Sequence, residues 1–153
     1  MADIVDPAVR SRMMAGIRGK NTKPELLLRS ALHRKGFRFR LHVKDLPGKP
    51  DLAFPKYRAA IFANGCFWHG HDCHLFRLPA TRRDFWRQKI EANRERDIRN
   101  RAALRQNEWR VADVWECALR GRDRLSFDDV IDECASWLES DTPTLELRGD
   151  RNA

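Results

Sequence analysis

The amino-acid sequence predicts a single domain of the α/β (α+β) class, in which a mixed central sheet has helices packed on its faces. Two observations support this class. Apolar residues recur with the 3.6-residue period of a helix in residues 25–32, and they alternate with basic residues in residues 37–43, as in a half-buried strand. Helices and strands mixed along one chain favour a layered sheet over an all-β barrel or a helical bundle.

The predicted elements are two helices, three strands, a helix, a strand and a last helix. An Asp-Pro pair begins the first helix, an N-terminal arm over about residues 6–19, and Thr22 with Glu25 forms a capping box that begins the second helix, which ends at Gly36. Strands are predicted over residues 37–43, 51–54, 58–63 and 109–115, the first three as an antiparallel meander, and helices over residues 82–106, capped by Thr81, and from Ser126 to residue 138. Residues 1–139 therefore form one domain, whereas residues 140–153 lose apolar periodicity and are predicted to be a C-terminal tail.

The chain is short and strongly basic. It has 153 residues, 30 Lys+Arg against 22 Asp+Glu, a formal net charge of +8 and a pI of about 9.9. A pI above about 9 is typical of nucleic-acid-binding domains. The longest apolar run, residues 59–63, is shorter than the roughly 18 residues of a membrane helix, and the acidic start lacks the apolar stretch of a signal peptide. We therefore expect an intracellular protein that binds nucleic acid and does not contact a membrane.

Cysteine and histidine are concentrated in the segment GCFWHGHDCH, residues 65–74. Thiolate and imidazole at such short spacing are ligands of Zn²⁺, and a reducing compartment favours metal binding over disulfides. Cys66, His71 and Cys73 supply three ligands of a tetrahedral site, and Cys117, just after a predicted strand, is expected to be the fourth. Cys134 falls within an amphipathic helix and is expected in the core.

His69 lies within this segment, directly after two aromatic residues. A histidine held rigidly beside a metal loop suits a general acid or base, although the sequence alone also allows His69 as a zinc ligand. Phe67 and Trp68 are adjacent on a Gly-flanked loop and cannot easily both point inward. We expect one or both to meet DNA bases as apolar wedges, with core packing as the alternative.

An acidic side chain begins a predicted strand in the segment GKPDLAF. Asp51 lies there beside a second strand that ends at Ala63 and Asn64, so it can hold Mg²⁺ between protein oxygens and a phosphate, as in phosphodiester hydrolysis. A turn residue is the alternative interpretation of Asp51. Glu25 is a second candidate that acts through water, although its capping-box position also gives it a structural role.

At these residues the chain resembles the very-short-patch-repair (Vsr) DNA mismatch endonucleases, from about residue 6 to residue 138. The resembling stretches are RSRMMAGIRGKNTKPELLLRSAL, FRFRLHVKDLPGKPDLAF, AAIFANGCFWHGHDCHLFRLPATRRDFWRQKI and WRVADVWECALRG. The order LPGKPD, GCFWHGH and VWECALRG is highly specific. The resemblance implies a restriction-endonuclease-like fold and an enzyme that nicks one strand 5′ of the thymine in a T:G mismatch, the lesion left by deamination of 5-methylcytosine, by Mg²⁺-dependent hydrolysis.

The resemblance also implies a role for each candidate residue. Asp51 and the main-chain carbonyl of Ala63 would bind Mg²⁺, Glu25 would act through metal-bound water, and His69 would be the catalytic histidine. A structural Zn²⁺ would be held by Cys66, His71, Cys73 and Cys117, in agreement with the spacing argument. Met14, Phe67 and Trp68 would wedge into the DNA beside the mismatch.

The sequence departs from the best-known family pattern at two positions. Asn64 stands where that pattern has histidine, and Ala63 stands where it has threonine. Asparagine does not titrate near neutral pH, so a catalytic acid-base role at position 64 is in doubt, whereas Ala63 suffices if only its carbonyl is used. No clear Glu-x-Lys follows Asp51, so His69 is expected to compensate.

The expected partner is double-stranded DNA with a T:G mismatch, and mismatch-repair accessory proteins are further expected partners. We expect a monomeric, cytoplasmic enzyme that associates with the nucleoid when it binds DNA. Two alternatives fit the same features. One is a non-catalytic, zinc-stabilised DNA-binding module, and the other is a nuclease that cuts matched DNA at a recognition sequence.

Overall fold

The computed structural model describes residues 23–150, and its central feature is a five-stranded mixed sheet. The strands are β1 (Arg40–Leu41), β2 (Leu52–Phe54), β3 (Ala59–Asn64), β4 (Arg110–Trp115) and β5 (Thr144–Leu147), and they lie side by side in this order. β1, β2 and β3 pair antiparallel, whereas β3, β4 and β5 pair parallel. The predicted mixed sheet and its antiparallel meander are therefore confirmed.

Helices cover both faces of this sheet. They are α1 (Lys23–Arg34), α2 (Arg83–Gln106), α3 (Glu116–Leu119) and α4 (Phe127–Leu138), and a 3-10 turn at Pro55–Tyr57 joins β2 to β3. Ala59 and Ile61 belong to the larger core, which α1 and α4 complete. Ala60 and Phe62 belong to a smaller core with Leu104 of α2. Because successive side chains of a strand point to opposite faces, α1 and α4 lie on one face of the sheet and α2 on the other.

β3 is the central strand and is buried on both faces. Its residues from Ala59 to Phe62 are at most 4% exposed. Strands covered by helices on both faces have such continuous apolar runs instead of an alternating pattern. β3 ends at Asn64, where the buried run meets the candidate site.

The strand predicted over residues 37–43 is only two residues long. Phe37 and Val43 are buried, whereas Leu41, an apolar position of the same alternating pattern, is 43% exposed. His42, however, has a φ of 46°, in the left-handed region that interrupts a strand. The prediction was wrong in its extent, because the alternating pattern predicts neither the left-handed backbone at His42 nor the exposure of Leu41.

The long helix α2 begins one residue later than predicted and without the predicted cap. Arg82 is the N-cap residue, with a left-handed φ of 56° and no hydrogen bond from its side chain to the helix. Thr81 is therefore wrong as the cap, because this left-handed residue separates it from the first turn. The last helix, α4, follows the prediction, since Ser126 Oγ accepts a hydrogen bond from the Asp129 amide and Cys134 is fully buried.

The C-terminal segment is a correction to the prediction of a tail. Residues Thr144–Leu147 form β5, which pairs parallel with β4 from Val111 to Val114. Leu147 is buried, and Leu145 packs against the larger core. Two leucines separated by one glutamate are too short a pattern to be distinguished from a loop, so the strand depends on its pairing with β4.

Three expectations lie outside the described residues: the N-terminal arm over residues 6–19, Met14 within it, and Thr22 of the capping box. Within residues 23–150, no helix has the length and apolar character needed to cross a membrane.

Candidate active site

Two cysteines are brought together by the ends of two parallel strands. β3 and β4 pair in register up to their last residues, with Asn64 opposite Trp115. Cys66 lies two residues after the end of β3, and Cys117 lies two residues after the end of β4. Because the two strands end side by side, both cysteines lie at the same edge of the sheet. The Cys66 amide donates to Glu116 Oε1 at 3.1 Å, which joins the two segments.

The loop after β3 turns back and adds two further ligands. The His71 amide donates to the Cys66 carbonyl, and the Cys73 amide donates to the His71 carbonyl, both at 2.9 Å. His71 Nδ1 lies 3.6 Å from Cys66 Sγ and 3.5 Å from Cys117 Sγ. With Cys73 Sγ, the donor atoms of all four residues lie within 4.8 Å of one another. The structure thus brings together the four residues that the spacing predicts as zinc ligands.

The chemistry of this Cys/His cluster fits a soft divalent metal ion. Three thiolates and one imidazole are a common donor set of structural zinc sites. Burial raises the pKa of the Cys66 and Cys117 thiols, whereas a bound cation favours their thiolate forms. The His71 ring stacks on Trp115 with centroids 4.0 Å apart, which fixes the ring while its Nδ1 faces the sulfur atoms.

The segment after β5 closes the Cys/His cluster from outside. The Gly149 amide donates to Cys117 Sγ at 3.3 Å, and Arg148 pairs with Asp72 at 2.8 Å. A Cβ atom at Gly149 would lie 2.6 Å from the Cys117 carbonyl oxygen, so glycine is required for this close approach. These contacts were not predicted from the sequence, because residues 140–153 were expected to form a tail.

A cleft of about 700 Å³ lies next to the Cys/His cluster at the same edge of the sheet. The sequence-predicted residues on its wall are Asp51, Ala63, Asn64, Phe67, Trp68 and His69. Lys44 and Lys49, from the loop between β1 and β2, also line the cleft and were not singled out from the sequence. Within residues 23–150, every catalytic and wedge candidate except Glu25 therefore contributes to one cavity.

Asp51 immediately precedes β2, and its carboxylate reaches β3. Asp51 Oδ2 accepts a hydrogen bond from the Ala63 amide at 2.7 Å. Burial raises the pKa of Asp51 to about 7, the Ala63 hydrogen bond opposes this rise, and the neighbouring Glu25 carboxylate adds to it. A carboxylate that is costly to charge without a nearby cation is suited to bind one.

Glu25 lies behind Asp51 on α1 and has no exposed surface. Glu25 Oε2 is 2.9 Å from His42 Nε2 and 3.3 Å from Arg29 Nη1. Donor atoms of Glu25, His42 and Asp51 lie within 4.8 Å of one another and form a second group able to hold a cation. From the sequence, His42 was expected only on the basic face of a strand, because no motif distinguishes it from its neighbours.

His69 lines the cleft with one ring nitrogen engaged. His69 Nδ1 is 2.5 Å from Asp97 Oδ2, on α2. His69 is not one of the four donors of the Cys/His cluster. The histidine of that cluster is His71. Asp97 was missed from the sequence because it is one of several charged residues on a long polar helix, 28 positions away.

Phe67 and Trp68 form an aromatic wall on one side of the cleft. Both are half-buried and lie outside the two hydrophobic cores of the described residues, with ring centroids 5.1 Å apart. Trp86 of α2 packs against them, with centroids 5.5 Å from Phe67 and 5.8 Å from Trp68. The Trp68 carbonyl accepts a hydrogen bond from Asn93 Nδ2 at 2.9 Å, which ties the loop to the helix.

Comparison with known proteins agrees with the resemblance to the Vsr endonucleases found in the sequence. A family model described as DNA mismatch endonuclease Vsr matches residues 2–75. The type II nicking enzyme V.XorIIP of Xanthomonas oryzae pv. oryzae is 55% identical over 119 residues, which are 78% of this chain and 88% of the relative. The DNA mismatch endonuclease Vsr of Escherichia coli (strain K12) is 46% identical over 138 residues, which are 90% of this chain and 88% of the relative. The chain belongs to the Vsr family.

Membership of the Vsr family confirms the resemblance stated from the sequence. The chain is a DNA endonuclease with a restriction-endonuclease-like fold, and DNA is its partner. A third relative, the type II nicking enzyme V.NmeAIP of Neisseria meningitidis, is 43% identical over 122 residues, which are 80% of this chain and 87% of the relative. These relatives do not support the alternative of a non-catalytic DNA-binding module.

In this Vsr-family enzyme, Asn64 is buried and both ends of its amide are engaged. Asn64 Nδ2 donates to Asp113 Oδ1 at 2.8 Å, and Asn64 Oδ1 accepts from Arg101 Nη2 at 3.2 Å. These bonds direct the amide towards α2 and β4. Neither Arg101 nor Asp113 was predicted as a site residue from the sequence.

Proposed function

We propose that this Vsr-family endonuclease nicks one strand of double-stranded DNA 5′ of the thymine in a T:G mismatch, by Mg²⁺-dependent hydrolysis. The observation that supports this most strongly is that Asp51, His69 and the aromatic wall line one cleft. Mismatch nicking needs a carboxylate for a metal ion, a base for water and apolar groups that open the duplex. The Escherichia coli relative is named a mismatch endonuclease and the Xanthomonas relative a nicking enzyme, which supports both parts of the proposal.

Asp51 and the main-chain carbonyl of Ala63 are the proposed Mg²⁺ ligands. The Ala63 amide points to Asp51 Oδ2 at 2.7 Å. In a strand, the N–H and C=O groups of one residue point to the same side, so the Ala63 carbonyl also faces the Asp51 side of β3. Carboxylate and carbonyl oxygens are the hard ligands that Mg²⁺ prefers. When bound, Mg²⁺ supplies neutralisation and polarisation of the scissile phosphate, and we propose that Glu25 acts through water.

His69 is the proposed general base. Asp97 contacts Nδ1 of the ring, which leaves Nε2 to accept the proton of the attacking water. As the water oxygen bonds to phosphorus, one water proton passes to His69 Nε2, and the bond between phosphorus and one bridging oxygen breaks. That oxygen leaves with the electron pair of the broken bond and takes a proton from solvent to become a hydroxyl group. Asn64 is not a second base in this scheme, because an amide does not accept a proton near neutral pH.

Phe67 and Trp68 are proposed to wedge between base pairs, together with Met14 of the N-terminal residues. Apolar wedges unstack base steps, and a mismatched pair costs less to unstack than a matched one. The wedge would therefore act more readily on T:G than on matched DNA. Lys44 and Lys49 on the cleft wall add positive charge for the phosphate backbone, in line with the net charge of +8.

Zn²⁺ is the proposed ion of the Cys/His cluster, with a structural role. Four protein donors leave no position for a substrate, which is typical of structural zinc sites. The cluster would hold the loop between Cys66 and His71, which carries Phe67, Trp68 and His69. Loss of the ion should therefore displace the wedge and the base together.

We further propose one domain that extends beyond residue 139, because β5 pairs within the central sheet. We propose that the enzyme acts as a monomer in the cytoplasm, on the DNA of the nucleoid, with mismatch-repair accessory proteins as further partners. Its DNA substrate supports this placement.

Strand-specific nicking of matched duplexes and mismatched duplexes tests the proposed substrate. One sequence is prepared as T:G, C:G and T:A duplexes in several flanking contexts, with each strand labelled in turn. We expect a single Mg²⁺-dependent cut 5′ of the mismatched thymine and none in the matched duplexes. Equal cutting of the matched duplexes would contradict the mismatch proposal and support a nuclease that reads a recognition sequence.

A further inference from the structure

His42 lies opposite Asp51, just after the pairing of β1 with β2 ends. Leu41 pairs with Leu52 at the last position of that ladder, and the His42 amide donates to the Asp51 carbonyl at 3.1 Å. His42 has a left-handed φ of 46°, which is uncommon outside glycine and which histidine adopts more often than most residues. Such conformations concentrate at active sites and ligand-binding positions. The backbone therefore fixes His42 beside the carboxylate that is proposed to bind Mg²⁺.

The His42 ring lines the cleft and contacts a buried carboxylate. Its Nε2 lies 2.9 Å from Glu25 Oε2, and its side chain is 21% exposed. Donor atoms of Glu25, His42 and Asp51 all lie within 4.8 Å of one another. Two ligands of one octahedral ion lie up to about 4.2 Å apart when each metal–ligand bond is about 2.1 Å long. Small side-chain adjustments are therefore enough to bring these donors to one ion.

The charges of this group favour a cation. Glu25 and Asp51 are two carboxyl groups side by side, and the pKa of Asp51 is raised by burial and by the Glu25 carboxylate. Arg29 pairs with Glu25 at 3.3 Å. A cation bound between the carboxylates and the His42 ring removes the cost of holding two negative charges together in a buried place. The donor set thus fits a divalent ion.

An imidazole nitrogen changes which divalent ion such a group prefers. Mg²⁺ takes oxygen ligands and keeps several of its waters. First-row transition ions accept imidazole nitrogen together with carboxylate oxygen. A neutral imidazole with its proton on Nδ1 offers a lone pair on Nε2, and Nε2 is the nitrogen of His42 that faces the carboxylates. His42 therefore adds a ligand that a transition ion uses better than Mg²⁺ does.

We propose that His42 is a direct nitrogen ligand of the cleft cation and makes the site selective for a first-row transition ion over Mg²⁺. This inference rests on the proposed metal site at Asp51. His42 Nε2 joins the Asp51 carboxylate and the Ala63 carbonyl on the ion, and Glu25 keeps its proposed role through water. The inference goes beyond Mg²⁺-dependent hydrolysis, because it predicts that the enzyme takes up the transition ion when both ions are present.

Mn²⁺ alone is the probe, because its paramagnetism reports both the free ion and a nitrogen bonded to the ion. The full-length, zinc-loaded chain is titrated with Mn²⁺ without DNA at about pH 7.5, where histidine with an ordinary pKa is mostly neutral. Pulsed electron paramagnetic resonance of samples with natural and with ¹⁵N-labelled histidine identifies a coordinated imidazole. We expect this coupling in the native chain and its loss in His42→Asn, in which asparagine tolerates the left-handed backbone. His33→Gln, at an exposed histidine of α1, is the matched control and should keep the coupling.

Ion affinities complete the test. His42→Asn should bind Mn²⁺ more weakly by about 10- to 100-fold or more, since even the loss of an outer-shell partner of a metal ligand has an effect of this size. Its affinity for Mg²⁺, measured by calorimetry, should change much less, because Mg²⁺ replaces the nitrogen with water. An unchanged Mn²⁺ affinity, an equal loss for both ions, or imidazole coupling retained in His42→Asn would overturn the inference.

Other variants decide the matter if His42→Asn does not fold. Imidazole coupling that persists in both His69→Gln and His33→Gln would support His42 as the ligand. Coupling that disappears in His69→Gln would assign the other histidine of the cleft and overturn the inference. No imidazole coupling in the native chain would also overturn it, as would coupling retained in Asp51→Asn, because His42 and Asp51 are placed on one ion.

Nicking assays keep this inference separate from the proposed function. Imidazole coupling that depends on His42, without T:G nicking in either Mg²⁺ or Mn²⁺, would support the nitrogen ligand and refute the proposed substrate. T:G nicking in Mg²⁺ by a native chain that shows no imidazole coupling with Mn²⁺ would support the proposed substrate and refute the nitrogen ligand.

Discussion

Replacing Asp51 with asparagine should stabilise the Mg²⁺-free protein at alkaline pH. Asp51 is largely buried, lies beside the Glu25 carboxylate, and has a pKa raised from 3.8 to about 7. Asparagine keeps an oxygen that can accept the hydrogen bond from the Ala63 amide. The substitution therefore removes the cost of charging a buried group while it preserves the contact with β3.

The direction of the pH dependence follows from the two pKa values. The unfolded chain loses the Asp51 proton near pH 3.8, whereas the folded chain holds it until about pH 7. Between these values the folded state binds more protons, so the free energy of unfolding falls as pH rises. The full difference corresponds to about 4 kcal/mol at roughly 1.4 kcal/mol per pH unit, of which about 2–3 kcal/mol falls between about pH 5 and pH 8.

Urea unfolding of the zinc-loaded chain without Mg²⁺ measures this effect. The stability of Asp51→Asn minus that of the native chain should grow by about 2–3 kcal/mol from about pH 5 to pH 8. Asp45→Asn, at an exposed carboxylate in the same loop, is the control for removal of a negative charge. A difference that stays constant with pH would refute the conclusion that the folded protein holds Asp51 at a cost.

Magnesium should reverse the difference if Asp51 is its ligand. A ligand that binds only the folded state at a hundred times its Kd stabilises by about 2.7 kcal/mol. The native chain should therefore gain stability with Mg²⁺ at about pH 8, whereas Asp51→Asn should gain little. Equal gains in both proteins would place the ion elsewhere.

Three further predictions concern the metal group, the aromatic wall and the C-terminal segment. Cys117→Ala should lose bound zinc in elemental analysis after dialysis, whereas Cys134→Ala, in the core of α4, should retain it. Trp68→Ala should slow nicking of T:G by about 5- to 150-fold, equivalent to the 1–3 kcal/mol of one stacked base, and spare the binding of matched DNA. Gly149→Ala should speed the release of zinc to a chelator, because its Cβ would lie 2.6 Å from the Cys117 carbonyl oxygen.

Each of these predictions has a result that would contradict it. Equal zinc content in the two cysteine variants would remove Cys117 from the metal group. A native rate in Trp68→Ala would exclude that side chain as a wedge. Native release kinetics in Gly149→Ala would show that the segment after β5 does not restrain the metal.

The buried strand β3 and the amphipathic helix α4 were predictable from the sequence. β3 carries a run of apolar residues, and α4 carries an apolar stripe with a serine cap, so local pattern and final environment agree. The Cys/His cluster was predictable for a related reason. Three of its ligands lie within eight residues of one another, and Cys117 comes just after the neighbouring strand.

The remaining features depend on contacts between distant parts of the chain. β5 has only two leucines facing the core and exists because β4 offers it a free edge. Asp97 is one of four acidic residues on a basic helix, and its role emerges only where that helix crosses His69. His42 is set apart by a left-handed backbone that places its ring on Glu25, which an alternating pattern does not report.

The most direct test of the account is single-turnover nicking of one T:G duplex with Mg²⁺ by the native chain and by Asp51→Asn, with DNA affinity measured beside it. We predict a cut 5′ of the thymine by the native chain, loss of that cut in Asp51→Asn, and similar DNA affinity for both. Native-rate nicking by Asp51→Asn would contradict the assignment of Asp51 as the metal ligand on which the proposed chemistry depends.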